Sequence, residues 1–513
     1  MMTDKIYAPA IRTQHGIVRG IWQTGSSAAY LGIPYAAAPV GERRFQAPRP
    51  PEPWMGVRDA TAYGPTPQKR PFAEVTAIPE PSIPGEDILN LNVFTPAPGD
   101  RLARLPVLVW IHGGGYFAGS PASPWYHGRS FNENGVILVT ISYRLGFEGF
   151  GWLEGAPLNR GILDQIAALH WVQDNIHEFG GDPGNVTIAG QSAGGGSVLA
   201  LLTSPRASGL FHAAIPMSSA MDMLDIQTAT SVGESLARHF NILPTEEEWR
   251  HISGEAFLDA ERLYNQIPDY SVPFDVREAL QLYAKGRITN LAFRPVVDGD
   301  ILPYHVFDPD ALTNARTIPV LIGTTRNEFS FASQNDTPSS EALVDEFVAM
   351  GLRHVSIQRF VDEIDRIGRE RAWSQLMTSL MFRVGLVRFT HGRRRVGAGE
   401  ITWTYDFAAM SSRARGSFHC HDIPYFFNLL SAPNVEQQLG SDLSLHLAER
   451  MHQLICHFVT YHSVPYPPAS HNASGAIRLQ PPIRYDDLAY EFERDLASVA
   501  GLLDENTDNG GTA

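Results

Sequence analysis

The chain has few cysteines, no long apolar run and no cluster of basic residues. Cys420 and Cys456 are the only cysteines among 513 residues, too few for a disulfide framework, so we expect two free thiols. No stretch approaches the ~18 consecutive apolar residues that cross a bilayer, and residues 1–7 lack the apolar core of a signal peptide. We therefore expect a soluble cytoplasmic protein with no membrane partner.

The scarcity of positive charge limits the partners further. The chain has 40 basic and 55 acidic residues, which gives a net charge of -15. Because nucleic-acid binding needs a basic surface, this balance argues against a nucleic-acid partner. We interpret the acidic excess as a charge that favours solubility rather than as a field for cationic substrates. Nothing in the sequence indicates an oligomeric state.

Strand-like and helix-like segments alternate along the chain. Near-continuous apolar runs at 106–111 and 136–141 are typical of strands buried on both faces, and further strands are predicted at 185–189, 213–217, 319–323 and 401–407. Apolar residues three and four apart between Ile162 and Phe179 predict an amphipathic helix. This alternation predicts an α/β protein whose large, mostly parallel central sheet is flanked by helices.

We expect a single domain over residues 1–503. Two segments, near 225–290 and 335–395, carry helical patterns interrupted by Pro and Gly and lack strong strand runs. They are predicted to be helical excursions from the sheet that form a substrate gorge. A late helix is predicted between Leu447 and Phe458, and the polar end, residues 504–513, is expected to be disordered.

The pentapeptide Gly190-Gln191-Ser192-Ala193-Gly194 lies between a β-branched run and an apolar, helix-like run that begins at Ala193. A serine at such a strand-to-helix junction is placed on a sharp turn that exposes its hydroxyl, and the flanking glycines allow a close backbone approach. Ser192 is therefore the predicted nucleophile of an acyl-transfer reaction.

A glycine loop, His112-Gly113-Gly114-Gly115, directly follows the predicted strand that ends at Ile111. Such a loop directs backbone N–H groups at one carbonyl oxygen, and we predict Gly114, Gly115 and Ala193 as donors to the oxyanion. The alternative is a glycine turn that binds nothing. Tyr116 and Phe117 come next and are candidates for substrate binding, although they would equally pack behind the loop.

A serine nucleophile needs a base and an acid, which follow it in the order acid, histidine in α/β-hydrolases. Glu328 lies just past a predicted strand, where active-site loops gather, but it would alternatively be a surface carboxylate paired with Arg326. Its rival is Asp298, which is followed by Gly299 and fits a turn more simply.

The candidate bases are His419 and His421, and spacing alone does not choose between them. Each would alternatively be a structural loop histidine. The pair has no second cluster at metal-ligand spacing, so we expect no metal and no other cofactor.

Several further segments resemble the signatures of the type B carboxylesterases, a family that includes cholinesterases and bacterial para-nitrobenzyl esterases. They are residues 30–36, 39–42, 44–45, 52–54, 86–93, 159–165 and 179–183. The resemblance implies an α/β-hydrolase fold and a catalytic triad of Ser192, Glu328 and His419. It makes His421 a neighbour of the triad or a bystander, and it matches Ser218 to a buried serine near the triad.

Three positions depart from the family pattern. Ile88 replaces a cysteine found in many relatives, so their loop disulfide cannot form here. Gln191 replaces the glutamate that usually precedes the nucleophile, which removes a negative charge beside Ser192. Residues 65–85 contain no tryptophan, so the choline-binding aromatic residue has no evident match and cholinesterase activity is disfavoured.

The predicted function is hydrolysis of small to medium apolar esters through an acyl-enzyme intermediate. One alternative keeps the same serine but passes the acyl group to an acceptor other than water, as an acyltransferase or lactonising enzyme does. A more remote alternative is a non-catalytic binding protein, although the esterase-like proteins of that kind typically lack the serine.

Overall fold

The computed structural model describes residues 6–67, 78–264, 276–284, 291–330, 338–413 and 415–503. Its strands are β1 (Tyr7–Arg12), β2 (Ile17–Thr24), β3 (Ser27–Pro34), β4 (Val57–Asp59), β5 (Asn90–Thr95), β6 (Leu105–Ile111), β7 (Ile137–Ile141), β8 (Gly181–Gln191), β9 (Ala213–Met217), β10 (Leu224–Asp225), β11 (Val296–Val297), β12 (Val320–Thr325), β13 (Thr402–Phe407), β14 (Ala476–Leu479) and β15 (Arg484–Asp486).

Within this described part, thirteen strands form one sheet in the order β1-β2-β3-β5-β7-β6-β8-β9-β12-β13-β14-β15, with β4 beside β2. The pairs from β7 through β14 are parallel. The flanking pairs β1–β2, β2–β3, β3–β5, β5–β7 and β14–β15 are antiparallel. The predicted α/β class with a large, mostly parallel sheet is confirmed.

Helices cover the sheet and form the excursions from it. They are α1 (Arg129–Glu133), α2 (Gly146–Phe150), α3 (Arg160–Asn175), α4 (Ala193–Thr203), α5 (Ile226–Phe240), α6 (Glu246–Arg250), α7 (Gly254–Tyr264), α8 (Val276–Ala284), α9 (Pro309–Asn314), α10 (Ser340–Met350), α11 (His354–Ile367), α12 (Ala372–Thr378), α13 (Val384–Arg395), α14 (Ile423–Phe426), α15 (Val435–Leu439), α16 (Leu445–Tyr461) and α17 (Glu491–Val499). A π-helical turn, Ser379–Arg383, joins α12 to α13.

The six predicted strands correspond to β6, β7, β8, β9, β12 and β13, with ends that differ by a few residues. The predicted amphipathic helix is α3, continued by a 3-10 turn at Ile176–Phe179. The two predicted excursions hold α5 to α8 and α10 to α13, and the late helix is α16. Residues 504–513 lie outside the described residues, and the domain limits stay a prediction.

The central strands β6 and β7 are almost entirely apolar because both faces of the sheet are covered. In β6, Val107, Val109 and Ile111 belong to one core cluster, together with residues of α3 and α4. Leu108 and Trp110 point to the other face and belong to a second cluster with residues of α14 and α16. This alternation of buried contacts explains why β6 reads as a continuous apolar run.

A buried ion pair ties the amino-terminal segment to the helices on one face. Arg144 Nη2 lies 2.6 Å from Asp164 Oδ1 on α3, and the two side chains are 1% and 0% exposed. The same guanidinium donates to the backbone carbonyls of Arg44 and Gln46. The pair thus joins three segments that are distant in the sequence.

Both cysteines are buried free thiols. Across the ranges given above, no helix has the length and apolar character that a membrane crossing requires.

Candidate active site

The carboxyl ends of four parallel strands in the middle of the sheet carry the predicted site. β6 is followed by the glycine loop, β8 by Ser192, β12 by the turn that holds Glu328, and β13 by the loop that holds His419. In parallel sheets the loops at this edge assemble ligand sites. The topology therefore brings residues more than 200 positions apart in the sequence to one edge.

Ser192 stands between the end of β8 and the start of α4, with φ 59 and ψ -120, a conformation unfavourable for a residue with a side chain. Its N–H donates to the Met217 carbonyl at 2.9 Å and its carbonyl accepts from Ala220 N–H at 3.0 Å, so the turn is fixed on both sides. A Cβ on Gly194 would lie 2.1 Å from the Ile111 carbonyl oxygen, which is why that position must be glycine.

The carboxylate of Glu328 and the imidazole of His419 form a direct hydrogen bond. Nδ1–H of His419 donates to Glu328 Oε2 at 2.5 Å, and the backbone N–H of His419 donates to the Glu328 carbonyl at 2.9 Å. The other carboxylate oxygen, Oε1, accepts from Thr325 N–H at 2.9 Å. Glu328 is fully buried, so these bonds fix its orientation.

Three side chains pack around the His419 ring. The rings of Phe329 and Phe382 have centroids 4.9 and 5.0 Å away, and Phe382 belongs to the π-helical turn. The side-chain nitrogen of Gln191 lies 3.2 Å from Nε2 and 3.4 Å from Nδ1. His419 is thus held by neighbours from three separate elements.

Gln191 contacts the His419 ring. Ser192 is the next residue in the sequence, so the nucleophile and the base lie in the same region of the site. Among the described residues, the Ser192 hydroxyl and the His419 ring form no hydrogen bond. Catalytic hydrogen bonds are often long in the absence of substrate and tighten when the substrate binds. The side chain of Ser192 is half-buried, so it remains accessible from the site.

The glycine loop lies directly against the nucleophile turn. A Cβ on Gly113 would lie 2.7 Å from the Gln191 carbonyl oxygen and 3.2 Å from Ser192 Cβ. Gly114 has φ +108 and Gly115 has φ +62, both in the region that favours glycine. In the described ranges, the N–H groups of Gly114, Gly115 and Ala193 have no acceptor within the protein. They are available to a ligand atom.

His112 anchors the start of the same loop. Its ring stacks on Tyr143 at a centroid distance of 4.6 Å, and the Tyr143 hydroxyl donates to the His112 carbonyl at 2.8 Å. Burial lowers the pKa of His112 to about 4, so this ring is neutral at ordinary pH and acts as a packing group.

Asp298, the alternative acid, and Arg326, the alternative partner of Glu328, form other contacts. Asp298 Oδ1 accepts from the N–H groups of Asp300 at 3.0 Å and Leu302 at 2.9 Å, so Asp298 closes the turn that its sequence suggested. Arg326 pairs with Glu363 at 2.5 Å and with Asp406 at 2.7 Å rather than with Glu328.

His421 and Ser218 lie beside the Glu328–His419 pair. Nδ1 of His421 accepts from Phe418 N–H at 3.2 Å, and burial lowers the pKa of His421 to about 4. Ser218, with φ 41, accepts at its hydroxyl from Thr325 N–H at 3.3 Å, the same N–H that donates to Glu328. Ser218 therefore contacts the residue that orients the carboxylate.

The two candidate substrate-binding side chains differ in exposure. Tyr116 is 1% exposed and packs against Phe150 at a centroid distance of 4.9 Å, which matches the packing alternative. Phe117 is half-buried, with a Gly115 Cβ position only 2.6 Å from its ring. Of these two residues, only Phe117 is partly exposed.

The sequence does not indicate that Phe382 lies beside His419, nor that Asp422, three residues after His419, is buried. Phe382 reaches the ring from a helical excursion that carries no motif. Asp422 is fully buried beside the Tyr405 hydroxyl, which donates to its Oδ2 at 3.2 Å, and burial raises the pKa of Asp422 to about 7. Across the described ranges no group of three or more His, Cys, Asp or Glu side chains is placed to hold a metal ion.

Comparison with known proteins identifies the family. The model of the carboxylesterase family matches residues 7–481. The para-nitrobenzyl esterase of Bacillus subtilis (strain 168) is 34% identical over 463 residues, covering 88% of this chain and 89% of the relative. Carboxylesterase 1E of Mus musculus is 33% identical over 441 residues, covering 78% and 75% of the two chains.

Solved structures agree with this match. A PNB esterase structure superposes with a TM-score of 0.76 at 30% identity, covering 95% of this chain and 99% of the other. The carboxylesterase of Geobacillus stearothermophilus at pH 6.2 gives a TM-score of 0.75 at 31% identity, covering 95% and 100%. The fold is that of the α/β-hydrolases, as expected. These relatives are named as esterases, which supports hydrolysis over acyl transfer or a binding role, and the chain is a member of the carboxylesterase family that hydrolyses small-molecule esters.

Proposed function

We propose that Ser192, Glu328 and His419 hydrolyse esters through an acyl-enzyme intermediate. The observation that carries the proposal is the 2.5 Å hydrogen bond between Glu328 and His419 at the sheet edge where the half-buried Ser192 stands on its strained turn. His419 takes the hydroxyl proton as Ser192 attacks the ester carbonyl, and returns it to the leaving alcohol. It then activates water for deacylation, while Glu328 orients the ring.

The N–H groups of Gly114, Gly115 and Ala193 bind the oxyanion that forms in both steps. Their lack of acceptors in the described protein and their place beside Ser192 support this role. Loss of one such donor typically costs about 3 to 4 kcal/mol of transition-state stabilisation. No metal or cofactor enters the scheme.

We propose small to medium apolar esters as substrates. Phe329 and Phe382 against the base, with the half-buried Phe117 beside the glycine loop, give the site an aromatic lining. The name of the bacterial relative, para-nitrobenzyl esterase, makes aryl and benzyl esters the first compounds to assay. A panel that varies acyl length and alcohol bulk separately would define the preference.

The acyl-enzyme is tested by rapid mixing with a para-nitrophenyl ester, followed by acid quenching and mass spectrometry. We expect a burst of para-nitrophenol and an acyl group on the peptide that contains Ser192. An acyl group on another residue would overturn the scheme. Added alcohols or amines test acyl transfer, which predicts that the acylated acceptor exceeds the free acid.

The cytoplasmic location also stays a proposal. It is supported by the two buried free thiols and by Ile88 at the position where many relatives carry a cysteine. Fractionation of cells that produce the protein from its own gene would test it.

A further inference from the structure

Gln191 and Cys420, which adjoin the nucleophile and the base in the sequence, form a hydrogen bond with each other. The Cys420 thiol donates to Gln191 Oε1, with sulfur and oxygen 3.4 Å apart. Both side chains are buried, at 1% and 3% exposure, so water does not compete for this bond. The family pattern has a glutamate in place of Gln191, and an anion there would accept from the thiol at both oxygens alike.

The amide end of Gln191 faces the base. Its nitrogen is nearly equidistant from the two nitrogens of His419, at 3.2 and 3.4 Å. An atom at those distances in the ring plane would overlap Cε1, so the amide nitrogen lies against the ring face. An N–H group in this place presents a partial positive charge to the imidazole.

The thiol decides which end of the amide faces the ring. Burial raises the pKa of Cys420 well above its ordinary value, so the sulfur keeps its proton and is a donor. A donor at this place selects the amide oxygen, which leaves the nitrogen for His419. Without the thiol proton, the amide would be free to turn over and place its oxygen against the ring.

We propose that Cys420 and Gln191 are a positioning pair in which the thiol fixes the amide so that its N–H faces the catalytic histidine. This rests on the proposed role of His419 as the base. With the N–H in place, the pair opposes a positive charge on the ring. A carbonyl oxygen or a carboxylate in the same place would instead favour that charge and hold the ring protonated at higher pH.

The measurement is the acid limb of the pH profile of kcat/KM, the fall in activity as the base becomes protonated. Among the described residues, the ionisable groups near the ring are Glu328 at Nδ1 and, on its own loop, His421 and Asp422. Glu80, whose pKa burial raises to about 8, lies within electrostatic reach of Cys420. Phe329 and Phe382 face the ring from the other elements and carry no charge. All of these groups are unchanged in the variants below.

Cys420 has φ 70, so Cys420→Ser and Cys420→Ala carry the same Cβ into the same left-handed backbone and differ in the donor. We expect the acid limb of Cys420→Ser to fall at the same pH as that of wild type. We expect Cys420→Ala to move the limb upward by about half a pH unit, less than the one to three units that a full charge produces. Matching limbs for Cys420→Ala and wild type would overturn the proposal.

A double-mutant cycle separates this role from a merely structural one. In the Gln191→Met background there is no amide to orient, so adding Cys420→Ala should leave the limb in place. An equal shift in both backgrounds would mean that the thiol acts by another route. Gln191→Glu is an independent test, with an expected upward shift of about one pH unit or more; an unmoved limb would contradict the contact itself.

Ser192→Ala is assayed in the same series to keep the two claims apart. If Ser192→Ala retains wild-type turnover, the nucleophile assignment fails. If Ser192→Ala is inactive while the limbs of the Cys420 and Gln191 variants match wild type, only the positioning role fails.

Discussion

Glu328 and His419 lie 91 residues apart in the sequence and meet in a 2.5 Å hydrogen bond between the carboxylate and Nδ1 of the ring. The pairing of β12 with β13 brings together the two loops that carry them. Since a carboxylate only accepts, Nδ1 bears the proton and Nε2 is left free to accept one. This is the tautomer that a general base for Ser192 requires.

Replacing Glu328 by Gln should reduce kcat by about 10³- to 10⁴-fold while the protein stays folded. The amide has the same size but only one acceptor oxygen for two donors, His419 Nδ1–H and Thr325 N–H, and no charge. The ring therefore loses its fixed tautomer and the stabilisation of its charged form. The measurement is kcat for a para-nitrophenyl ester, with the thermal midpoint as a check on folding. A loss below tenfold in a folded protein would remove Glu328 from the triad.

The ion pair of Arg144 and Asp164 predicts a large effect on stability. Arg144→Met leaves a carboxylate buried at 0% exposure without its partner and should lower the free energy of unfolding by about 3 to 5 kcal/mol. The matched control is Arg206→Met, because Arg206 and its partner Asp300 are 48% and 67% exposed. The control should change stability by at most ~1 kcal/mol. Equal effects on denaturant unfolding would contradict the account.

Asp422 predicts how stability depends on pH. Burial raises the pKa of Asp422 from 3.8 to about 7 in the folded protein, so its neutral form is the one that the fold favours. Its contribution is fully present below pH 3.8 and is lost as pH rises through about 7. With about 1.4 kcal/mol for each pH unit, the loss amounts to a few kcal/mol.

Asp422→Asn removes the ionisation and should unfold at a higher temperature than wild type at pH 8.5, and this difference should shrink steadily as pH falls from about 7 toward 3.8. Thermal midpoints across this range make the comparison. Asp87→Asn removes the same charge from a side chain that is 58% exposed and should follow wild type throughout. A constant difference between Asp422→Asn and wild type at every pH would refute the assignment.

The sequence predicted the elements that carry the site because its strongest patterns are local. The apolar run of β6 with its glycines, and the serine between β8 and α4, each fit within about ten residues. Burial on both faces of the sheet determines such runs directly. The outer strands β1 to β3, β5, β14 and β15 were not predicted. β1, β2 and β15 mix exposed and buried residues, whereas β3, β5 and β14 are buried but are short or interrupted by polar, glycine or proline residues.

The choice of Glu328 over Asp298 and of His419 over His421 came from the family resemblance, because local spacing does not report which loops meet in space. The structure shows the difference in contacts: Asp298 binds its own turn, whereas Glu328 binds His419. Phe382 and the Cys420–Gln191 bond had no signal in the sequence, since both depend on tertiary packing. The half-buried candidate Phe117 and the buried candidate Tyr116 were likewise indistinguishable by pattern.

The central claim is that Ser192 is the nucleophile, and the rate of ester hydrolysis by Ser192→Ala tests it most directly. With purified protein and a short-chain para-nitrophenyl ester, we expect kcat to fall by about 10⁴- to 10⁶-fold with an unchanged thermal midpoint, and a fluorophosphonate probe to label wild type but not the variant. Turnover by a folded Ser192→Ala within tenfold of wild type would contradict the account.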